Sequence, residues 1–131
     1  MKKILFAASE GVPFIKTGGL ADVVGSLPKC LDKEYYDVRV VLPKYTCMKQ
    51  EMIDKLRYVT QFQMNFNWRD IPVTIWEAVA DGIQYYFVDY EDYFCGFKPY
   101  SDNHYHEIEK YIFFSKAVLN ALPVIGFRPE L

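Results

Sequence analysis

The sequence predicts an α/β fold in which parallel strands alternate with helices, with an added β-hairpin. Three observations point there. A short apolar run, Ile4-Leu5-Phe6-Ala7-Ala8, is followed by a glycine-bearing loop and an amphipathic stretch, the order of a strand–loop–helix unit with a buried strand. A second apolar run, Val38-Arg39-Val40-Val41-Leu42, arrives after that stretch, as the next strand of such a unit should. Farther on, two strand-like segments meet at Asp81-Gly82, a two-residue hairpin signal, and a long helical pattern follows.

Taken in order, strand one covers about Lys3 to Ala8. Helix one runs from about Gly19 to Leu31. Its Leu20, Val23, Val24, Leu27 and Leu31 recur at spacings of three and four, which predicts one apolar face packed on the sheet. Strand two, about Asp37 to Leu42, ends at Pro43, and Cys47 to Lys55 suits a short helix. From Tyr58 to Phe66 the pattern alternates: Tyr58, Thr60, Phe62, Met64 and Phe66 on one side, Gln61, Gln63 and Asn65 on the other. That is a half-exposed strand. Asn67-Trp68-Arg69-Asp70 reads as a turn into a strand from Val73 to Ala80, and Asp81-Gly82 turns again into Ile83 to Val88. A long helix then sets Ile108, Tyr111, Ile112, Ser115, Val118, Leu119 and Leu122 on one face and stops at Pro123. A crossover helix there should lead to a further strand beside strand one; without it, strand one keeps an unpaired edge.

Composition narrows the function classes. At 131 residues the chain makes one domain at most, long enough to bury about two thirds of its unfolded surface. Fifteen basic against 17 acidic residues give a net charge of −2 with no basic block, which argues against nucleic-acid and membrane-surface partners. The apolar start is too short for a membrane span and lacks a small-residue cleavage site. Cys30, Cys47 and Cys95 are odd in number and scattered, as free thiols in a reducing cytoplasm would be. His104 and His106 near Asp102, Glu107 and Glu109 invite a metal reading. Rings two residues apart on a helix point about 200° away from each other, so an exposed helix start accounts for them and no metal is assigned.

The chemistry gathers in Ser9 to Pro28. A loop holding Lys16, Thr17, Gly18 and Gly19 opens helix one. The first helical turn has unpaired N–H donors and a positive dipole end, so this arrangement is suited to a phosphate. Lys16 adds a mobile charge just ahead of the glycines. Spacing weighs against the common alternatives: a P-loop has its lysine after the glycine, and Gly18, Gly19 and Gly25 do not form a dinucleotide fingerprint. Gly18 and Gly19 either admit a ligand close to bare backbone or make a tight turn. Thr17 either caps the helix or touches substrate. Asp22 either compensates the helix dipole or binds sugar hydroxyls. Glu10, near the end of strand one, either lines the ligand crevice or is a surface carboxylate.

Lys16-Thr17-Gly18-Gly19-Leu20-Ala21-Asp22-Val23, behind a strand and Ser9-Glu10, resembles the opening of bacterial glycogen synthases and plant starch synthases. The likeness continues in Gly25-Ser26-Leu27-Pro28, Val38 to Pro43, Tyr86-Phe87-Val88-Asp89 and Phe113-Phe114-Ser115-Lys116-Ala117. It implies a Rossmann-like parallel sheet with helices on both faces. It also implies that residues 1–131 are an incomplete N-terminal domain of a two-domain glycosyltransferase. The activity implied is retaining transfer of glucose from ADP-glucose to the non-reducing end of an α-1,4-glucan, with no cofactor, and the 131-residue chain alone is expected to be inactive. A non-catalytic nucleotide-sugar or glucan-binding module is the alternative. In the family the residue matching Lys16 contacts the donor's phosphates, and Tyr100 falls where a tyrosine accompanies the donor glucose; a half-buried loop tyrosine is the plainer reading. The chain departs from the family pattern at Glu109-Lys110-Tyr111, where lysine stands in place of the arginine of Glu-Arg-Phe.

Overall fold

The computed structural model describes residues 1–131. Strand β1 (Lys2–Ala7) leads through a loop to helix α1 (Gly19–Cys30), followed by β2 (Tyr36–Pro43) and a single turn α2 (Gln50–Ile53). Then come β3 (Arg57–Phe66), β4 (Arg69–Ala80), β5 (Ile83–Asp89), the turn α3 (Glu91–Phe94) and the long α4 (His104–Ile125). One sheet runs in the order β1-β2-β5-β4-β3. β1, β2 and β5 are parallel, and β4 and β3 add the antiparallel hairpin. No helix is long and apolar enough to cross a membrane.

The two helices cover opposite faces. β2 is buried on both sides through Val40, Val41 and Leu42, as its unbroken apolar run requires. On one face Phe14, in the loop before α1, packs on Tyr85 and Phe87 with ring centroids 4.9 and 4.8 Å apart. On the other, Leu5, Val41, Ile75 and Tyr86 line a small cavity together with Val118, Ala121, Leu122 and Ile125 at the end of α4. The Asp81-Gly82 hairpin is present, with φ of 51° and 76°.

Each helix buries only part of the stripe that periodicity selects, Val24 in α1 and Val118 in α4, and adds small or unexpected residues to it. In α1 the buried residues are Ala21, Val24, Gly25 and Pro28, while Leu20, Val23 and Leu27 remain 48%, 55% and 44% exposed. The cause is backbone approach. The Val12 N–H donates to Ala21 O at 3.1 Å, and a Cβ on Gly25 would lie 2.2 Å from Val12 Cγ2 and 2.8 Å from Val12 O. Small residues therefore face the loop and the leucines turn outward. Gly25→Ala should lower stability by about 1–3 kcal/mol through overpacking, despite alanine's better helix propensity. Denaturant unfolding that finds the variant equally stable overturns this packing argument. In α4 the buried set is Lys110, Phe113, Phe114, Ala117, Val118 and Ala121, and Ile108, Ile112 and Leu119 stay exposed. α4 carries apolar side chains on more than one face, so its inward face is decided by which of them fit the sheet.

Smaller corrections have local causes. A bulge between Tyr58 and Thr60 shifts the β3–β4 register, so Tyr58 leaves the inward set and is exposed. The β3–β4 turn is only Asn67-Trp68, both with positive φ, and Arg69 and Asp70 are already paired with Phe66 and Asn65. Helix α4 passes Pro123 and ends at Gly126, whose φ of 71° suits a residue without Cβ. The edge of β1 is not wholly unpaired. Glu130 N–H donates to Lys3 O (2.8 Å) and Leu5 N–H to Leu131 O (2.9 Å), so α4 does return the chain to the flank of β1.

Candidate functional site

The chain leaves the C-terminal end of β1 at Ala7 and enters the loop that carries the predicted residues. Glu10 is its hub. The side chain is 2% exposed and its carboxylate accepts hydrogen bonds from Thr17 N (3.2 Å), Gly18 N (3.1 Å), Ala21 N (3.3 Å), Tyr100 Oη (3.1 Å) and the Thr17 hydroxyl. Tyr100 Oη also lies 2.7 Å from Ser9 Oγ. A carboxylate only accepts, so the single phenolic proton of Tyr100 goes to Glu10 and Ser9 donates to Tyr100. Behind them Tyr45 donates to Ser9 O (2.7 Å) and Tyr111 lies 2.8 Å from the Tyr45 hydroxyl. Because the Tyr45 proton is already engaged, Tyr111 supplies that bond.

Glu10 therefore serves as the helix's own anion, and its burial rules out the surface reading. Thr17 does not cap α1: Gly18 is the N-cap, in extended conformation and with no side chain to offer. The Thr17 hydroxyl turns to Glu10 instead. Burial acts to raise the Glu10 pKa, but the hydrogen bonds from Thr17, Tyr100, Gly18 and Ala21 hold it below the ordinary carboxylate value. The site's donors are thus divided. Gly18 and Ala21 N–H are spent on Glu10, whereas Gly19 and Leu20 N–H find no acceptor in the protein.

The glycines are not required by the fold's own geometry. Neither Gly18 nor Gly19 has positive φ, and an added Cβ would meet nothing closer than Glu10 Oε1 at 3.9 Å for Gly18 and nothing within 4 Å for Gly19. The backbone here is bare toward open space, where a ligand can approach it. Lys16 Nζ pairs with Asp22 at 3.0 and 2.9 Å to the two carboxylate oxygens, both side chains about half exposed (52% and 55%). Such a pair contributes little, about 0.2–1 kcal/mol, and exchanges readily. Lys16 and Thr17 also wall an open cavity of about 580 Å³ together with Val12 to Ile15, Cys47 and Lys49.

Residues 3–131 match the family described as the starch synthase catalytic domain. The chain belongs to that family. It is 56% identical over 131 residues to the glycogen synthase of Lachnoclostridium phytofermentans and, equally, to that of Lachnospira eligens, covering 100% of this chain and 27% of each relative. Among solved structures, the catalytic domain of starch synthase IV from Arabidopsis thaliana, bound to ADP and acarbose, matches with a TM-score of 0.82 at 27% identity, covering 98% of this chain and 26% of that one. The chain spans about a quarter of the length of these relatives.

In this starch synthase fold the predicted residues Glu10, Lys16, Thr17, Gly18, Gly19, Asp22 and Tyr100 come together at one place. Glu10, Thr17, Gly18 and Tyr100 form a single hydrogen-bond network, and Lys16 and Asp22 form a pair at its rim. His104 and His106 sit in the first turn of α4, the ring of His106 against Tyr93 at 5.9 Å, and no group of three or more His, Cys, Asp or Glu side chains could hold a metal ion. Sequence reasoning gave Ser9, Tyr45, Glu107, Lys110 and Tyr111 no place in this network. A signal existed for one pair: Glu107 and Lys110 are three residues apart in a helix whose other inward residues are apolar.

Proposed function

We propose that residues 1–131 are the N-terminal part of the catalytic domain of a glycogen (starch) synthase. The proposed reaction is retaining transfer of glucose from ADP-glucose to the non-reducing end of an α-1,4-glucan. The observation that carries the reading is the rim of α1: bare Gly18-Gly19 backbone, unclaimed N–H groups on Gly19 and Leu20, and the half-exposed Lys16 ammonium beside them. The family supplies the donor class, since the relatives are glycogen synthases and the similar starch synthase structure is bound to ADP and acarbose. As the bond from glucose C1 to the diphosphate breaks, negative charge grows on the departing ADP, and a cation and two N–H donors fixed there stabilise the transition state more than the ground state. In this reading Asp22, released when Lys16 turns to phosphate, accepts from sugar hydroxyls, and Tyr100 stands beside the donor glucose.

The exposed stripes Leu20-Val23-Leu27 and Ile108-Ile112-Leu119 support the view that further structure packs on this segment. The proposed setting is the cytoplasm, which suits the free thiols of Cys30, Cys47 and Cys95. The test is glucan elongation with ADP-glucose by the full-length protein and by the 131-residue chain in parallel. Elongation is expected from the first and none from the second, because the 131-residue chain spans about a quarter of its relatives' length and transfer of this kind depends on several charge-stabilising groups and on closure over the donor. Turnover by the short chain, or none by the full-length protein, would overturn the reading.

A further inference from the structure

Helix α4 holds a buried cation next to the site. Lys110 is 3% exposed, with its ammonium 2.7 Å from Glu107 Oε1 and donating to Pro99 O at 2.7 Å. The rings of Tyr111 and Tyr45 flank it, their centroids 5.1 and 5.9 Å away. Glu107 Oε1 in turn accepts from Ser101 N–H at 3.0 Å. The pair therefore grips the carbonyl just before Tyr100 and the amide just after it. The segment between α3 and α4 that carries Tyr100 has no regular secondary structure, so these two bonds anchor it to a helix.

Stability is a poor reason for such a pair. Burying two charges costs about as much as their attraction returns, and a well-packed apolar residue commonly serves equally well. An apolar residue would not bind both peptide groups around Tyr100. That tyrosine is one of the donors that hold the Glu10 carboxylate, and Glu10 holds the Thr17-Gly18 backbone.

We propose that Glu107 and Lys110 are positioning residues of the nucleotide-sugar site: they fix Tyr100, and through Tyr100 and Glu10 they set the height of the Lys16–Gly19 loop. This rests on reading that loop as the diphosphate site. Lys110→Met, which keeps the stem and removes the charge, should lower kcat/KM for ADP-glucose in the full-length protein by about tenfold or more, as displaced binding groups do. Placed on Tyr100→Phe, the same change should add less than about twofold, because its route to the site is already cut.

The experiment is the four-member kinetic cycle of Lys110→Met and Tyr100→Phe, with thermal melts and ADP calorimetry on each protein. Independent, multiplicative losses overturn the proposal. So does a lowered melting temperature with unchanged kcat/KM, which marks Lys110 as support for the fold alone. If Lys110→Met does not fold, Glu107→Gln takes its place in the cycle under the same criteria. Lys16→Ala run alongside keeps the two ideas apart: unchanged ADP binding there removes the loop assignment itself, whereas lost ADP binding there with a null cycle removes only the positioning role.

Discussion

Lys16→Ala in the full-length protein is expected to lower glucosyl transfer by about 10²–10³-fold, the usual loss when one group that stabilises developing charge is removed. The fold should barely notice, because the Lys16–Asp22 pair is half exposed on both sides and such pairs contribute about 0.2–1 kcal/mol. A large rate effect with an unchanged melting temperature is thus the signature. Removing the lysine also leaves the Asp22 carboxylate without a partner at the rim of the proposed phosphate site, where it would repel an incoming diphosphate. The double variant Lys16→Ala/Asp22→Asn should therefore bind ADP more tightly than Lys16→Ala alone. Steady-state kinetics with calorimetry of ADP decides it. Equal rates and affinities for Lys16→Ala and the parent would sink the role given to this side chain.

Glu10→Ala should be the most damaging single change to the site's architecture. It removes the acceptor of Thr17 N, Gly18 N, Ala21 N and Tyr100 Oη at once. Ala21 N is the buried donor among them and keeps Gly18 O as a second acceptor at 3.3 Å, while the Thr17, Gly18 and Tyr100 donors are part-buried, so a loss of about 1–3 kcal/mol is expected in denaturant unfolding. Glu10→Gln keeps the volume but sets an NH₂ group among donors, and should recover only part of the loss.

The pH dependence follows from the lowered Glu10 pKa. A carboxyl depressed in the folded state binds fewer protons there than in the unfolded chain. Its contribution is then fully present above the ordinary value of 4.5 and disappears as pH falls through the lower folded value. Glu107, held down by Lys110 and Ser101 against the opposing effect of burial, titrates in the same direction. Glu10→Gln should accordingly flatten part of the acid slope of stability and leave the part due to Glu107. A parent and a Glu10→Gln protein with the same acid slope would show that Glu10 is not the internal anion of α1.

How much of this was legible depends on whether the cause is local. The order of strands and helices, the Asp81-Gly82 hairpin and the burial of β2 follow from alternation, turn chemistry and apolar runs, all confined to a few neighbouring residues. The octapeptide from Lys16 to Val23 likewise carried the family in its own letters, and the family match over residues 3–131 agrees with it. Inward faces were less readable. Gly25 and Ala21 face inward in α1 because Val12 approaches their backbone, a contact between segments that periodicity does not see.

The sequence by itself determined the fold class and the family, and it selected the loop proposed as the site, since each is written in short-range pattern. Tertiary structure alone decided what each residue there does. Glu10 looked like a ligand-facing or surface carboxylate and is the buried counter-charge of α1. Thr17 looked like a cap or a substrate contact and its hydroxyl donates to Glu10 rather than capping, while Tyr100 and Lys110 join the network from 90 and 100 residues away along the chain. The physical reason is that a hydrogen bond is settled by which donors and acceptors the fold leaves within about 3 Å of each other, and that distance exists only once β1, α1 and α4 are packed on one sheet.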